Sequence, residues 1–302
     1  MRVLFCSDVF NDRQVDAGYE AEYEKAKELG IKTELLSLEQ LLDGNGMKSI
    51  KRIQAADEPE TVIYRGWMMK PESYGALYYA LKQKNLLLIN SPQEYINGHY
   101  FPRSYEVIKD ATPFNCWWVD IDSLEAGYDG VHEILRIFGK KPMIIKDYVK
   151  SRKHQWEEAC FVPDASDRQQ VEYVLRNFID RQGTELSGGI VFREFIELEQ
   201  LSRHPLSGMP LSNEYRLFLL KHELLATVEY WDEASYQEEK PNLEPFIAIS
   251  KGIASEFFTM DIASTAGGEW VIIEIGDGQV SGLPDQIDLE QFYRSLKERM
   301  GD

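Results

Sequence analysis

The pattern of strands and helices changes once along this chain, and that change limits the folds open to it. Up to Thr112-Pro113, short apolar runs alternate with longer helix-like segments. This βαβ rhythm predicts a parallel sheet with helices on both faces. Beyond that point the strand-like runs lie closer together and come to favour antiparallel pairing. We therefore expect a mixed α/β and α+β protein, with a βαβ domain at 1–112 and α+β units at 113–196 and 197–302.

The composition restricts the location and partners of the protein. The 302 residues carry a formal net charge of -18, whereas broad binding to nucleic acid requires clustered Lys and Arg. No apolar run approaches the roughly 18 residues of a membrane span. Cys6, Cys116 and Cys160 have no paired spacing, which predicts reduced thiols. We expect a cytoplasmic protein without nucleic-acid or membrane partners, and the sequence leaves its oligomeric state open.

Two acidic residues near the C-terminus are the strongest candidates for metal ligands. Gly267-Gly268 predicts a two-residue type I′ turn between strand-like segments, and this register places Asp261 opposite Glu274. Like charges that face each other destabilise a sheet unless a cation compensates, and a divalent cation prefers hard oxygen ligands. Asp277 follows the strand and is a candidate third ligand.

A solvated polar face is the alternative for this carboxylate pair, and the residues alone do not decide between the two. Small residues, Thr259, Ala263 and Gly276, share the predicted face with the carboxylates, in place of the Lys and Glu of a wet surface. The opposite, core-facing side is predicted to carry Met260, Ile262, Val271, Ile273 and Ile275.

A positive cluster follows the predicted strand at 143–148. Lys146 comes directly after two isoleucines, so its stem lies in or at the edge of the core, where a charge needs an anionic partner. Further basic residues follow, among them Lys150 and Lys153. In a chain this acidic, the cluster is a candidate phosphate site, and an ordinary Lys-rich surface loop is the alternative.

Two later strands carry charged residues among apolar neighbours. Glu194 lies on the predicted strand 190–196, where an apolar slot with polar groups at its rim would suit adenine and a carboxylate would suit ribose. An ion pair with a neighbouring strand is the alternative for Glu194. Arg216 lies on the strand EYRLF, and such an arginine either pairs with a carboxylate or contacts a transferred phosphate.

Taken in chain order, these segments resemble the ATP-grasp superfamily. The order is a lysine at a strand end (Lys146), an acidic strand segment (193–199), an arginine on a strand (Arg216), and carboxylates on paired strands (Asp261 and Glu274). The segments YRGW, KDYVKSRKHQW and EIGDGQVSGLP look most like the R2K clade of that superfamily. The resemblance implies an N-terminal βαβ domain followed by two α+β subdomains that clasp ATP.

The resemblance also implies roles for individual residues in binding magnesium and ATP. The nucleotide contacts would be Lys146 and Lys153 at the phosphates, Glu194, Phe195 and Ile196 at the adenine, and Glu197 or Glu199 at the ribose. Asp261 and Glu274 would hold magnesium, and Arg216 would act at the transferred phosphoryl group with Lys146. Many members carry Asn two residues after the metal-binding Glu, whereas this chain has Gly276, and Asp277 is the candidate replacement.

The activity implied by the resemblance is ATP-dependent joining of a carboxylate to an amine through an acyl phosphate. The substrate would be a small molecule or a peptide. A nucleotide-binding regulator without catalysis and a phosphotransferase are the alternatives. Arg65, which ends a predicted strand at the crevice edge of an open α/β sheet, is the candidate substrate contact, and a surface ion pair is its alternative. The Pro, Ser and Gly-rich segment 202–213 predicts a flexible lid.

Overall fold

The computed structural model describes residues 1–203, 205, 210–236 and 240–301. Across these residues the chain forms three sheets of four strands each and one two-stranded ribbon. In the same part of the chain, no helix has both the length and the apolar character needed to cross a membrane.

The N-terminal sheet is parallel, with the spatial order β2-β1-β3-β4. Its strands are β1 (Arg2–Cys6), β2 (Lys32–Leu36), β3 (Glu60–Arg65) and β4 (Leu86–Leu88). The helices of this part are α1 (Glu20–Glu28), α2 (Leu38–Leu42), α3 (Gly46–Ser49), α4 (Pro71–Lys82), α5 (Pro92–His99) and α6 (Phe101–Ile108). Strand β1 is buried along its whole length, as expected for the centre of a parallel sheet covered on both faces. The βαβ pattern predicted for this region is therefore confirmed.

The central sheet is antiparallel, with the order β5-β8-β6-β7. It consists of β5 (Asn115–Trp118), β6 (Met143–Asp147), β7 (Phe161–Val162) and β8 (Ile190–Glu194), with the helices α7 (Asp129–Leu135), α8 (Trp156–Ala159) and α9 (Arg168–Gln182). Met143, Ile145 and Phe192 point into a core with Val174 and Phe178 of α9. Since strand residues alternate between faces, Ile144 and Lys146 lie on the opposite face, away from these helices.

The C-terminal sheet is also antiparallel, with the order β12-β11-β13-β14. Its strands are β11 (Glu214–Leu220), β12 (Glu223–Glu229), β13 (Phe257–Ser264) and β14 (Trp270–Asp277), with the helices α10 (Glu244–Ser250) and α11 (Leu289–Met300). The ends of the segment predicted as a flexible loop at 202–213 instead belong to paired strands, β9 (Gln200–Arg203) and β10 (Pro210–Ser212). Residues 204 and 206–209 of that segment lie outside the described residues.

One core joins the N-terminal and C-terminal parts of the chain. Val3 and Phe5 of β1 share it with Phe218 of β11 and with Phe292 and Leu296 of α11. The N-terminal sheet therefore completes one of its faces with residues from the other end of the sequence. The domain limits at 112 and 196 remain a prediction.

The hairpin of β13 and β14 places Asp261 opposite Glu274, as predicted, but reaches this pairing by another route. The turn is not type I′, because Gly268 has a φ of +84° while Gly267 has no positive φ. The tip is consequently one residue out of the predicted register, with Ile262 opposite Ile272. A β-bulge between these pairs leaves Ile273 without a partner and restores the Asp261–Glu274 pairing.

The changed register at the tip also changes which residues of β14 face the core. Ile272 and Ile275 pack there with Met260 and Ile262, whereas Val271 and Ile273 were the predicted core residues together with Ile275. The predictions for Val271 and Ile273 are wrong because the turn shifts the first half of β14 by one residue, and a shift of one residue exchanges the two faces of a strand.

Candidate functional site

Two ion pairs lie where the central and C-terminal sheets face each other. The Arg216 guanidinium binds the Asp261 carboxylate through two bonds, Nε to Oδ1 and Nη2 to Oδ2, both 2.8 Å. Lys146 Nζ donates to Glu274 Oε1 at 2.5 Å. The structure thus brings together four predicted site residues that come from β6, β11, β13 and β14.

The two ion pairs are largely withdrawn from water, although Glu274 keeps an open side. Asp261 is 2% exposed and Lys146 5%. The Glu274 side chain is 32% exposed. Burial alone would raise the pKa of Glu274, but the nearby Lys146, with further attraction from Lys153 and Arg193, brings that pKa below its usual value. Glu274 is therefore an anion that a ligand entering between the sheets can reach.

The donor set of the hairpin suits a magnesium ion. Asp261 and Glu274 present hard oxygen ligands from directly paired positions, and the next pair on that face, Thr259 and Gly276, is small. Within the described residues, no cluster of three or more His, Cys, Asp or Glu side chains is arranged around a metal position. The hairpin therefore offers two carboxylates, and further ligands would have to come from a bound phosphate or water.

Asp277 does not join these two carboxylates. It lies three residues after Glu274, so its side chain projects from the opposite face of β14, where it is fully buried. It accepts hydrogen bonds from Asn90 Nδ2 at 2.5 Å and from the Gln279 backbone at 3.0 Å. Burial raises the pKa of Asp277 to about 7. The structure therefore does not bring Asp277 together with Asp261 and Glu274, because strand alternation directs its side chain to the other face.

Arg65 does not line the site either. Its side chain is fully buried, and Glu22 accepts from its Nε and Nη2, both at 2.9 Å. Its Nη1 donates to backbone carbonyls that follow β14, including that of Ser281 at 2.8 Å. The polar atoms of Arg65 are thus engaged inside the protein, and no part of its side chain is open to a ligand. The observed ion pair resembles the alternative drawn from the sequence, although it is buried and not at the surface.

The predicted adenine segment lies at the end of β8. Glu194 forms an ion pair with Lys141 at 2.7 Å, which is the alternative considered for it. The Phe195 ring packs against Phe161, with ring centroids 5.1 Å apart, and Phe161 stacks on Trp156 at the same distance. These three aromatic side chains are here called the aromatic cluster. They lie on the face of the central sheet that carries Ile144 and Lys146, since Phe161 pairs with Ile144.

The remaining predicted nucleotide residues lie around the hairpin tip and the loop after β6. Ile196 is half-buried and lines an open cleft of about 550 Å³. Glu197 is exposed, and its carbonyl accepts from the Ala266 backbone. Glu199 accepts from Asn213 at 3.0 Å, and hydrogen bonds from Asn213 and Ser264 lower its pKa. Lys153 is exposed in a short 3-10 helix, Lys153–Gln155.

Arg193 is a site residue that sequence reasoning missed. It is 5% exposed and donates to the carbonyls of Ile272 and Ile273, at 3.1 and 2.5 Å. It therefore connects β8 to the bulge that precedes Glu274. Burial lowers its pKa to about 10. The sequence did contain a signal, because Arg193 is predicted to share a strand face with the apolar Val191 and so to be buried. A buried arginine needs several hydrogen-bond acceptors, which other elements must supply.

Two further titratable groups near the ion pairs were not identified from the sequence. Glu214 shares a face of β11 with Arg216, is 2% exposed, and accepts from Ser212 at 2.9 Å. Burial raises the pKa of Glu214 to about 7.

His99 is 5% exposed and stacks on Tyr95. Burial lowers the pKa of His99 to about 4, so it is neutral near pH 7.

Two open clefts of the protein do not coincide with the ion pairs. One of about 490 Å³ runs between β12 and α11, and that of about 550 Å³ lies between the edge of β14 and α10. We locate the candidate site at the ion pairs because two carboxylates and two cations converge there in largely buried positions, whereas the ion pair of Lys240 and Glu229 at the cleft beside β12 is more exposed.

Comparison with known proteins gives a sequence family and a set of structures with the same fold. The model of the ATP-grasp domain, R2K clade family 3, matches residues 135–296, which is more than half of the 302 residues. No curated protein sequence matches the chain significantly.

Three solved structures illustrate the similarity in fold. The ATP-grasp ligase PsnB, complexed with minimal precursor, Mg and ADP, has a TM-score of 0.56 at 12% identity over 100% of this chain and 98% of its own. D-cycloserine synthetase DcsG has a TM-score of 0.58 at 12% identity over 99% and 100%. VanG D-Ala:D-Ser ligase from Enterococcus faecalis has a TM-score of 0.56 at 13% identity over 99% and 98%.

Proposed function

Because this chain belongs to the ATP-grasp domain family, in family 3 of the R2K clade, we propose that it is an ATP-dependent ligase that joins a carboxylate to an amine. The ATP-grasp fold expected from the sequence is confirmed by the family and by the solved structures. The observation that carries the proposal is the arrangement of two ion pairs, one from Lys146 of the central sheet to Glu274 and one between Arg216 and Asp261 within the C-terminal sheet. Each contains one carboxylate suited to a metal and one cation suited to a phosphate.

The cations in these ion pairs are placed to receive a polyphosphate. Lys146 projects from the face of the central sheet that meets the C-terminal sheet, and Lys153 lies close enough to lower the pKa of Glu274. On binding of nucleotide and metal, Lys146 and Arg216 would exchange a carboxylate partner for a phosphate oxygen, so that their charge would stay compensated. Arg216 is the residue we assign to the phosphoryl group that moves, since its planar guanidinium can bind two oxygens at once.

Asp261 and Glu274 would hold magnesium in this scheme. Bound magnesium supplies charge neutralisation at the phosphate oxygens and orients them for transfer. The protein contributes fixed positions for the two carboxylates, because both lie on paired strands at the centre and edge of one sheet. Phosphoryl transfer depends mainly on such positioning and on electrostatic stabilisation.

The adenine base fits best beside the aromatic cluster of Trp156, Phe161 and Phe195. Ile144 pairs with Phe161 and shares a strand face with Lys146, so an apolar slot lies next to the phosphate-binding lysine. Trp156 is 37% exposed and is available for stacking. Of the two predicted ribose acceptors, Glu197 is the exposed one, whereas Glu199 is already bonded to Asn213.

The substrate class we propose is a small molecule or a peptide that carries the carboxylate, with a separate amine as acceptor. Two of the similar structures, those of PsnB and of macrocyclase MdnC, contain precursor peptides, while DcsG is named as a synthetase of the small molecule D-cycloserine. Mass spectrometry after incubation with Mg-ATP and a mixed pool of amino acids and peptides tests this. A new amide product with ADP release that requires both partners is expected.

Other outcomes of that incubation would favour the two alternatives. ADP release that needs only an acceptor, with a phosphorylated product, would replace the ligase by a phosphotransferase. Tight ATP binding without turnover on any member of the pool would replace it by a nucleotide-binding regulator.

The metal and phosphate assignments have their own test. Asp261→Asn and Glu274→Gln should each lower magnesium-dependent ADP formation by about 100-fold or more, because each removes a ligand charge. Lys146→Ala should weaken nucleotide binding. Glu269→Gln removes an exposed carboxylate from the tip of the same hairpin and serves as the matched control. Unchanged ADP formation in both hairpin variants would contradict the metal site.

We also propose a cytoplasmic location. Cys6, Cys116 and Cys160 are free, and burial raises their pKa values to about 11, 12 and 11. Unpaired, protonated thiols fit a reducing compartment. Recovery of the protein in an oxidising compartment after cell fractionation would contradict this location.

A further inference from the structure

The turn that follows β14 crosses the polar face of the sheet beside the ion pairs. This post-β14 turn comprises residues 277–282. Its Gly282 carbonyl accepts from Arg216 Nη1 at 3.2 Å, and Ser281 Oγ lies 2.9 Å from Thr259 Oγ1. A Cβ atom at Gly276 of β14 would lie 2.7 Å from Thr259 Oγ1 and 3.0 Å from Ser281 Oγ, so the strand leaves no room for a side chain where the turn packs on it. The turn therefore forms part of the surroundings of Arg216.

The N-terminal sheet holds this turn through one buried guanidinium. Arg65 Nη1 donates to the carbonyls of Gly278 and Ser281, both at 2.8 Å. The guanidinium itself is fixed by Glu22, which accepts from two of its nitrogens. Glu22 in turn accepts from the Tyr293 hydroxyl at 2.6 Å. Glu22, Arg65 and Tyr293, here called the Arg65 clamp, thus attach the turn to β3, α1 and α11.

Ser281, which directly precedes Gly282, is held through its carbonyl by Arg65, and its hydroxyl donates to the Asp277 carbonyl and lies beside the Thr259 hydroxyl. The middle of the turn has other anchors, since the Gln279 side chain accepts from the Tyr64 backbone at 3.1 Å and donates to Tyr74 at 2.7 Å. Loss of the Arg65 contact would therefore free the Ser281 carbonyl, next to Gly282, while the Gln279 side chain and the Ser281 hydroxyl keep the rest of the turn attached. A lysine cannot replace the guanidinium, because its single ammonium cannot bind Glu22 in two places and two carbonyls at once.

We infer that Arg65 is a positioning residue for Arg216, acting through Ser281 and Gly282 of the post-β14 turn. The inference rests on the proposed function, in which Arg216 acts on the transferred phosphoryl group. Arg65 touches neither nucleotide nor substrate. By holding the Ser281 carbonyl it orients the following residue, Gly282, whose carbonyl accepts from one nitrogen of Arg216 while Asp261 accepts from the other two. The N-terminal domain thereby sets the orientation of a catalytic side chain in the C-terminal sheet.

Arg65→Lys in the full chain tests the inference with two measurements. Amide hydrogen exchange across residues 278–284 should become faster, because the end of the turn is released. ADP formation from Mg-ATP with the mixed substrate pool should fall by about tenfold or more, since small misplacements of catalytic groups are costly. Affinity for Mg-ATP should stay within about twofold of wild type, because Lys146, the main proposed phosphate contact, pairs with Glu274 and has no partner in the post-β14 turn.

Arg2→Lys is the matched control. Arg2 is also a buried guanidinium of the N-terminal sheet, where it pairs with Glu34 and Glu60. Its substitution removes a buried guanidinium from the same sheet without touching the post-β14 turn. It should lower the free energy of unfolding and leave both exchange at the turn and ADP formation unchanged. An equal fall of ADP formation in Arg2→Lys would overturn the inference, because it would reduce the effect to general destabilisation.

Tyr293→Phe provides a milder variant if Arg65→Lys does not fold. It removes one hydrogen bond to Glu22 and keeps the ring in the core. Exchange at the turn should again become faster, by a smaller factor. Unchanged exchange in this variant and in any folded Arg65 variant would overturn the clamp. Absence of ADP formation in the wild type would count against the proposed function alone, since exchange at the turn requires no turnover.

Discussion

At the scale of single residues, burial decides which charged side chains are available for chemistry. Arg65 and Arg216 both lie on strands, and both form two bonds to a carboxylate. Arg65 is fully buried and directs its remaining donors to backbone carbonyls. The Arg216–Asp261 pair instead lies beside Glu274, where the central and C-terminal sheets face each other. The same residue type therefore has a structural role in one place and a proposed catalytic role in the other.

Glu214 gives a prediction at this scale. Burial raises its pKa in the folded protein to about 7, above the 4.5 of a free carboxyl. The folded state therefore binds the proton more tightly, so this group stabilises the fold below about pH 4.5 and loses that contribution as the pH rises through about 7. In Glu214→Gln this loss is absent, and the variant should be more stable than wild type at about pH 8 by about 3 kcal/mol.

Urea unfolding at about pH 5 and about pH 8 measures this difference. The two proteins should converge at the lower pH, because wild-type Glu214 is then largely protonated. Glu269→Gln, at an exposed position, is the control and should show no such dependence. A Glu214→Gln variant that is no more stable than wild type at about pH 8 would show that Glu214 is charged at little cost, with Lys153 or Arg216 compensating it.

At the scale of elements, the β13–β14 hairpin combines a turn and a bulge whose effects on register cancel. The turn shifts the tip by one residue, and the bulge at Ile273 shifts the pairing back. Arg193 donates to the carbonyl of this bulged residue, so the central sheet contacts the hairpin at its irregular position. The carboxylate pair is therefore aligned by the bulge and not by the turn alone.

Gly276 gives a prediction at this scale. Its absent side chain is what lets the post-β14 turn lie against Thr259, because a Cβ atom would sit 2.7 Å from Thr259 Oγ1 and 3.0 Å from Ser281 Oγ. Gly276→Ala should therefore displace the turn and lower the free energy of unfolding by about 1–3 kcal/mol.

The matched control is Gly267→Ala at the hairpin tip. A Cβ atom there would meet only Thr265 Oγ1, at 3.7 Å, and this glycine has no positive φ. The tip variant should unfold like wild type in a thermal melt, whereas Gly276→Ala should unfold at a lower temperature. Equal melting of all three proteins would show that the turn is not tightly packed on the strand.

At the scale of the whole molecule, the two ends of the chain form one core. Helix α11 places Phe292, Tyr293 and Leu296 against β1, and the same core includes Phe218 and Phe257 of the C-terminal sheet. The central sheet has its own core, around α9. The structure therefore contains one body made from both chain ends and a second, smaller body between them in sequence, which meet at the candidate site.

Leu296→Ala tests the cooperation of the chain ends. The side chain is fully buried, so its truncation should cost about 2–5 kcal/mol. Amides of β1 and of β12 should lose protection from hydrogen exchange together, because both strands border the same core. Glu298→Ala, an exposed position on the same helix, is the control. Unchanged protection of β1 in Leu296→Ala would show that the N-terminal sheet is stable without α11.

The sequence determined the elements of this protein and the order of its site residues, because both depend on local patterns. Alternation of apolar residues located most strands, and the charged residues Lys146, Arg216, Asp261 and Glu274 stood at element positions that the fold brings together. What only the tertiary structure decided is where each charge points. The bulge at Ile273 and the burial of Arg65 and Asp277 arise from packing between elements distant in sequence, and no local pattern records such contacts.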